Sequence, residues 1–200
     1  MHKPVLVLLL LCLAVPAAFA GTVSLSGTTL IFDAKIGEVN TIEVEPNGAA
    51  FDSSTSQFVQ GLVLRDRTSL ISLDTNQCRV IAGVVLCDFS VPIGSISISL
   101  GNKDDSVKQI FTGDGRSPIA MRVTGGLGND TISGSELADV LDGGAGNDTI
   151  TGGRGRDIID GGSGDDTIDS RDNDIDTVNC GLGNKDRITK DANDSVKRCE

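Results

Sequence analysis

Five aspartates stand nine residues apart: Asp130, Asp139, Asp148, Asp157 and Asp166. An apolar residue follows each one two positions later, at 132, 141, 150, 159 and 168. Residues 125–169 read GGLGNDTIS, GSELADVLD, GGAGNDTIT, GGRGRDIID and GGSGDDTID, all in one register. A carboxylate at a fixed interval, preceded by glycines that let carbonyls turn inward, is a donor set made of oxygen alone. Hard divalent cations take such sites, and Ca²⁺ tolerates their irregular geometry better than Mg²⁺.

Catalysis by a histidine relay does not fit the composition. The one histidine, His2, lies in the extreme N-terminal stretch, and there is no tryptophan or tyrosine. Without His2 there is no Ser-His-Asp or Cys-His relay and no histidine zinc site.

Each unit divides into a six-residue turn and a three-residue strand. Side chains alternate along a strand, so only the apolar middle residue points inward. Two units complete a coil of 18 residues (2 × 9), and coils stack at the strand spacing of about 4.8 Å. Asp130, Asp148 and Asp166 then share one edge, and Asp139 and Asp157 the other. The first edge keeps its glycine turns, whereas GSELAD before Asp139 has lost two of three glycines. One inward apolar residue per nine is little burial to set against the ordering of nine backbones. The stretch 130–176 also stacks 13 acidic residues against three basic ones. A bound cation answers both problems.

These units closely resemble the haemolysin-type calcium-binding nonapeptide of repeats-in-toxin (RTX) proteins, G-G-x-G-x-D-x-U-x. The resemblance is strict over 125–169, with looser echoes at Asp105/Val107, Asp176/Val178, Asp186/Ile188 and Asp194/Val196. It implies an all-β fold, a right-handed parallel β-roll or β-solenoid of nonapeptide repeats preceded by an N-terminal β region. It implies Ca²⁺ as cofactor and calcium roles for Asp130, Asp139, Asp148, Asp157 and Asp166. With its export signal and no large effector domain, the chain looks most like small secreted bacterial members, so lytic or protease activity is not carried over and no enzyme is expected.

The remainder fits that reading. Val5 to Val15 is an apolar run behind Lys3, followed by Ala18-Phe19-Ala20, the pattern of a signal peptide cut after Ala20. The run is too short to span a bilayer. The net charge is −11, and −12 once Lys3 is removed, which disfavours nucleic acid and anionic membrane as partners. Four cysteines remain in an exported chain. Cys78 and Cys87 flank RVIAGVVL and pair if it is a hairpin, while Cys180 and Cys199 are about one coil apart and pair as a terminal clip.

The expected organisation is a signal peptide (1–20), an N-terminal β region (21–100), a degenerate coil (101–124), the repeats (125–169) and irregular C-terminal coils with a disulfide cap (170–200). Period-two patterning marks strands at 23–26, 42–45 and 96–100, with Gly27, Gly37, Pro46-Asn47-Gly48, Gly61 and Gly94 as punctuation. All mature phenylalanines precede residue 112, which places the aromatic core in the N-terminal region. DNDID at 172–176 begins like an EF-hand loop but lacks the glycine and glutamate that should follow.

A secreted calcium-binding protein is the leading expectation. The alternative is a calcium-scaffolded adhesion or coating module, using the N-terminal region or the outward threonines Thr131, Thr149 and Thr167. A histidine-free hydrolase built on Asp33, Glu38 or Asp52 comes last.

Overall fold

The computed structural model describes residues 19–26, 29–34, 37, 39–52, 57–66, 70–73, 78–81, 84–88, 94–109, 118–183 and 185–199. The apolar run at 5–15 and Glu38, Phe89 and Phe111 lie outside them. All regular elements among the described residues are strands. No helix there is long and apolar enough to cross a membrane.

The N-terminal strands are β1 (Phe19–Ser26), β2 (Thr29–Ala34), β3 (Thr41–Asp52), β4 (Gln57–Asp66), β5 (Leu70–Leu73), β6 (Cys78–Ile81) and β7 (Val84–Asp88). β8 (Ser95–Gly101) and β9 (Ser106–Gln109) lead into β10 (Ala120–Leu127) and β11 (Thr131–Ser133). β12 (Val140–Ala145), β13 (Thr149–Thr151), β14 (Ile158–Ser163) and β15 (Thr167–Asp169) carry the strict repeats. β16 (Thr177–Asn179), β17 (Arg187–Thr189) and β18 (Ser195–Lys197) finish the chain.

These strands form two nine-stranded sheets. One runs β18-β16-β14-β12-β10-β8-β2-β1-β5 and the other β17-β15-β13-β11-β9-β3-β4-β7-β6. From β8 onward every pairing is parallel, because each turn hands the chain to the opposite sheet and each coil returns it one strand along. Among the described residues antiparallel pairs appear only among the N-terminal strands, β1 with β2, β3 with β4, β4 with β7 and β6 with β7. This is a parallel β-roll, as the repeat pattern predicts.

Two columns of inward residues run through the core, joined by Leu30, Val44, Ile96, Leu100 and Met121 toward its N-terminal end. Phe32, Ile98, Val123, Leu141, Ile159, Val178 and Val196 stand in register down one sheet. Ile42, Val107, Ile132, Ile150, Ile168 and Ile188 do so down the other. Nearly all are sealed from water; Ile188 and Val196, at the C-terminal end, are only partly so. Branched aliphatic side chains suit this position because they fill a narrow gap between pleated sheets with little rotamer freedom to lose. Phe32 joins the columns directly.

Two local expectations change. Pro46-Asn47-Gly48, read as a turn, lies inside β3, where the register with β4 shifts between Glu45 and Gly48 and Gly48 faces Gly61. The residues that favour a turn here make a β-bulge, which absorbs a proline without ending the strand. Glu43 alternates with the inward Ile42 and Val44, as a half-buried strand requires, yet is itself 2% exposed. Its partner across β3 and β9 is Lys108, whose ammonium lies 3.3 Å from Oε1.

Cys180 and Cys199 form a disulfide, their Cα atoms 5.1 Å apart. Cys78 stands directly opposite Cys87 in the β6–β7 hairpin.

Ile150→Ala, in calcium, is expected to cost about 2–5 kcal/mol of unfolding free energy, whereas exposed Thr149→Ala should stay within about 0.5 kcal/mol. Urea denaturation followed by circular dichroism checks both.

Candidate metal centre

The repeat aspartates point into the body of the molecule. Asp130, Asp139, Asp148, Asp157 and Asp166 are each at most 1% exposed. The turns achieve this because glycine takes up backbone angles closed to other residues, as at Gly144 (φ 101°) and Gly146 (φ 139°). The backbone doubles back tightly and the aspartate at the end of the turn is carried inside the coil.

On the first edge the backbone N–H of Asp105 donates to Asp130 Oδ1 at 2.8 Å, that of Asp130 to Asp148 Oδ1 at 2.7 Å, and that of Asp148 to Asp166 Oδ1 at 2.8 Å. The Asp166 N–H continues to Asp186 Oδ1 at 2.9 Å. On the second edge Met121 donates to Asp139 Oδ1 at 2.6 Å, Asp139 to Asp157 Oδ1 at 2.9 Å and Asp157 to Asp176 Oδ1 at 2.8 Å. Each carboxylate therefore clips its own coil to the one before it. The structure separates the two edges as the spacing predicts, Asp130, Asp148 and Asp166 on one and Asp139 and Asp157 on the other.

One oxygen of each clip is used and the other is left over. Oδ2 of Asp130, Asp148, Asp157 and Asp166 is buried without a hydrogen-bond partner. Those of Asp130, Asp148 and Asp166 converge with carbonyls of the next coil against a glycine. A methyl group placed on Gly161 would stand 2.6 Å from Asp166 Oδ2 and 2.5 Å from the Cys180 carbonyl oxygen. The same convergence brings Asp130 Oδ2 and the Gly143 carbonyl against Gly125, and Asp148 Oδ2 and the Gly161 carbonyl against Gly143. Any side chain there would push the oxygens apart. Among the described residues no three His, Cys, Asp or Glu side chains gather to hold a metal by themselves. The donor set is one carboxylate per turn plus main-chain carbonyls, and it fits Ca²⁺.

Asp139 differs. Its Oδ2 accepts the Ser135 backbone N–H at 2.5 Å, and its Oδ1 accepts the Ser135 hydroxyl at 3.0 Å besides the Met121 N–H. Ser135 replaces the second glycine of that turn and satisfies the carboxylate from within. The sequence shows the lost glycines without showing what replaces them. The carbonyl of Cys180 was also missed, since main-chain donors leave no residue-type signature.

Burial dominates the acid–base behaviour of these groups. It raises Asp130 and Asp157 to about 7 and Asp166 to about 6, and neighbouring aspartates add to the rise while the backbone N–H donors oppose it. Asp148 and Asp139 are raised for the same first reason. Charge in these turns is unfavourable until something positive enters.

Residues 122–136 and 133–168 match the RTX calcium-binding nonapeptide repeat, in four copies. The ligand of these repeats is Ca²⁺. No curated protein and no solved structure matches the chain.

Two outcomes follow from this geometry. Because these folded-state values lie above the ordinary carboxylate value, the metal-free roll holds its protons more tightly than the unfolded chain. That stability is complete below about pH 4 and is lost as pH rises through 6 to 7. In chelator the melting temperature should fall from pH 5 to pH 8, while the calcium needed for half-saturation also falls; thermal melts and calcium titrations at each pH check this. Ser135→Gly removes the hydroxyl from Asp139 Oδ1 but keeps the backbone N–H on Oδ2, so the number of bound calcium ions, counted by equilibrium dialysis, should not rise.

Proposed function

We propose that this is an exported calcium-binding protein whose roll is completed by Ca²⁺ held between stacked turns. The observation that carries the reading is the row of buried Oδ2 atoms on Asp130, Asp148, Asp157 and Asp166, each left without a partner. The structural role follows from linkage. An ion that binds the folded turns and not the unfolded chain stabilises the fold by mass action. Where calcium is scarce the coils stay loose, and where it is plentiful they close.

The ion supplies charge neutralisation and cross-links successive coils. Asp130 and Asp148 act with the carbonyls of Gly143 and Gly161, and Asp166 with that of Cys180. Asp157 serves the second edge. Asp139 contributes only if Ser135 gives way. Export rests on the apolar run at 5–15 with its Ala18-Phe19-Ala20 ending, and on the cysteine pairs, which belong to an oxidising compartment. β1 begins at Phe19, so a cut after Ala20 would remove its first two residues.

Far-UV circular dichroism in chelator, then through a calcium titration to millimolar with magnesium as control, tests this. A calcium-specific gain of β signal is expected. Asp148→Asn should raise the midpoint by about 10- to 100-fold. Equal signal in chelator and calcium would overturn the reading.

A further inference from the structure

We propose that the loop Ser170–Asp176 holds one more calcium ion, ligated by Asp172 and Asp176, beyond the stretch that matches the repeats. The repeat match ends at residue 168, and the loop has its own sequence, SRDNDID.

The loop is one residue longer than a repeat turn, since Asp176 follows Asp157 by 19 residues instead of 18. The extra residue changes what faces the preceding turn. At Gly134 the carbonyl of Gly152, one coil on, closes against the glycine. At Gly152 the near atoms are Asp157 Oδ2 at 2.6 Å and Ile159 Cδ1 at 3.1 Å, with no carbonyl from the following loop among them. The loop backbone has moved out of the repeat's donor position.

The loop brings two carboxylates of its own, Asp172 and Asp176. Asp176 is 0% exposed, its Oδ1 accepts the Asp157 N–H, and its Oδ2 is buried with no partner. Asp172 repeats the arrangement. Its Oδ1 accepts the Asp174 N–H at 2.6 Å, and its Oδ2 is buried and unpartnered. Asp172 lies close enough to Asp176 for the two charges to repel. Both residues thus complete their structural hydrogen bonds with one oxygen and keep the second in the interior.

No lysine or arginine among the described residues pairs with either. Arg171 is turned outward onto Asp169, at 2.7 Å. The next coil braces the loop. Asp191 Oδ2 accepts the N–H groups of Asp172 and Asn173 at 2.8 and 2.7 Å, and Asp194 Oδ1 accepts that of Asp176 at 3.1 Å. Asn173 takes the left-handed angle (φ 77°) that glycine supplies in the repeats. Two buried, unpartnered carboxylate oxygens held in one braced turn form a hard-cation site. Its ligands come from within the loop, whereas each repeat turn contributes a single carboxylate.

The chain has no tryptophan or tyrosine, so one introduced indole gives a local probe. Ile175 lies in the loop and is 47% exposed. Full-length Ile175→Trp would be titrated with Tb³⁺, exciting the indole and reading terbium emission. The expected result is sensitised emission that Ca²⁺ displaces. Adding Asp172→Asn should weaken it by about tenfold or more with the far-UV signal kept, because asparagine retains the oxygen that caps the Asp174 N–H. Equilibrium dialysis should then count one calcium fewer. Asp148→Asn in the reporter background should lower total calcium and leave the sensitised emission, which separates this site from the repeats. Undiminished emission and an unchanged calcium count in Asp172→Asn would overturn the proposal, as would the absence of sensitised emission from a folded Ile175→Trp protein. If Asp172→Asn loses the far-UV signal, Asp172→Ser, which keeps a capping oxygen without the charge, takes its place under the same two outcomes.

Discussion

The structure depends on carboxylates that are buried before they are neutralised. An aspartate enters each coil because the glycine turn carries it there, and its Oδ1 is fixed at once by an N–H of the preceding coil. That bond sets the spacing between coils and leaves Oδ2 in the interior. A buried carboxylate with a spare oxygen and no cationic side chain either takes up a proton or takes up a metal. The raised values at Asp130, Asp157 and Asp166 express the first option, and the convergent carbonyls supply the means for the second. Proton and calcium compete for the same oxygens, so acidity and calcium act in opposite directions on occupancy.

The apolar columns explain why these charges can be stacked at all. Each coil adds one inward residue to each sheet, and the columns run without a break from Phe32 and Ile42 to Val196 and Ile188. The antiparallel strands at the N-terminal end extend the same two sheets, and β2 and β3 give β8 and β9 their partners. The first coil therefore has a template on which to set its register. At the other end the Cys180–Cys199 disulfide ties together the last coils. The same Cys180 lends its carbonyl to the Asp166 turn, so the covalent clip and the metal turn meet at one residue.

Much of this was legible in the chain because the informative signals are local and periodic. The nine-residue interval gives the coil, alternation gives the inward residue, and glycine placement gives the turn, so Ile132, Leu141, Ile150, Ile159 and Ile168 fall where the spacing puts them. What escaped depends on partners distant in sequence. Pro46-Asn47-Gly48 has turn composition, yet pairing of β3 with β4 on both sides of it overrides that preference. Glu43 alternates as a surface residue should, but Lys108 from another strand covers it. Ser135 reads as a lost glycine, and only its contacts with Asp139 reveal a substitute for a ligand. Asp172 stands out of register, because the inserted residue breaks the interval that makes the other aspartates visible.

The most direct measurement is amide hydrogen exchange, residue by residue, with and without calcium. The N–H groups of Asp105, Asp130 and Asp148 bond to the very carboxylates whose charge is at issue. The account predicts strong protection in calcium and loss of it in chelator at pH 8, with amides at the β2–β8 pairing less affected. Equal protection of those three amides in chelator would show that the coils stand without the ion, and would contradict the claim that buried carboxylate charge makes this fold depend on calcium.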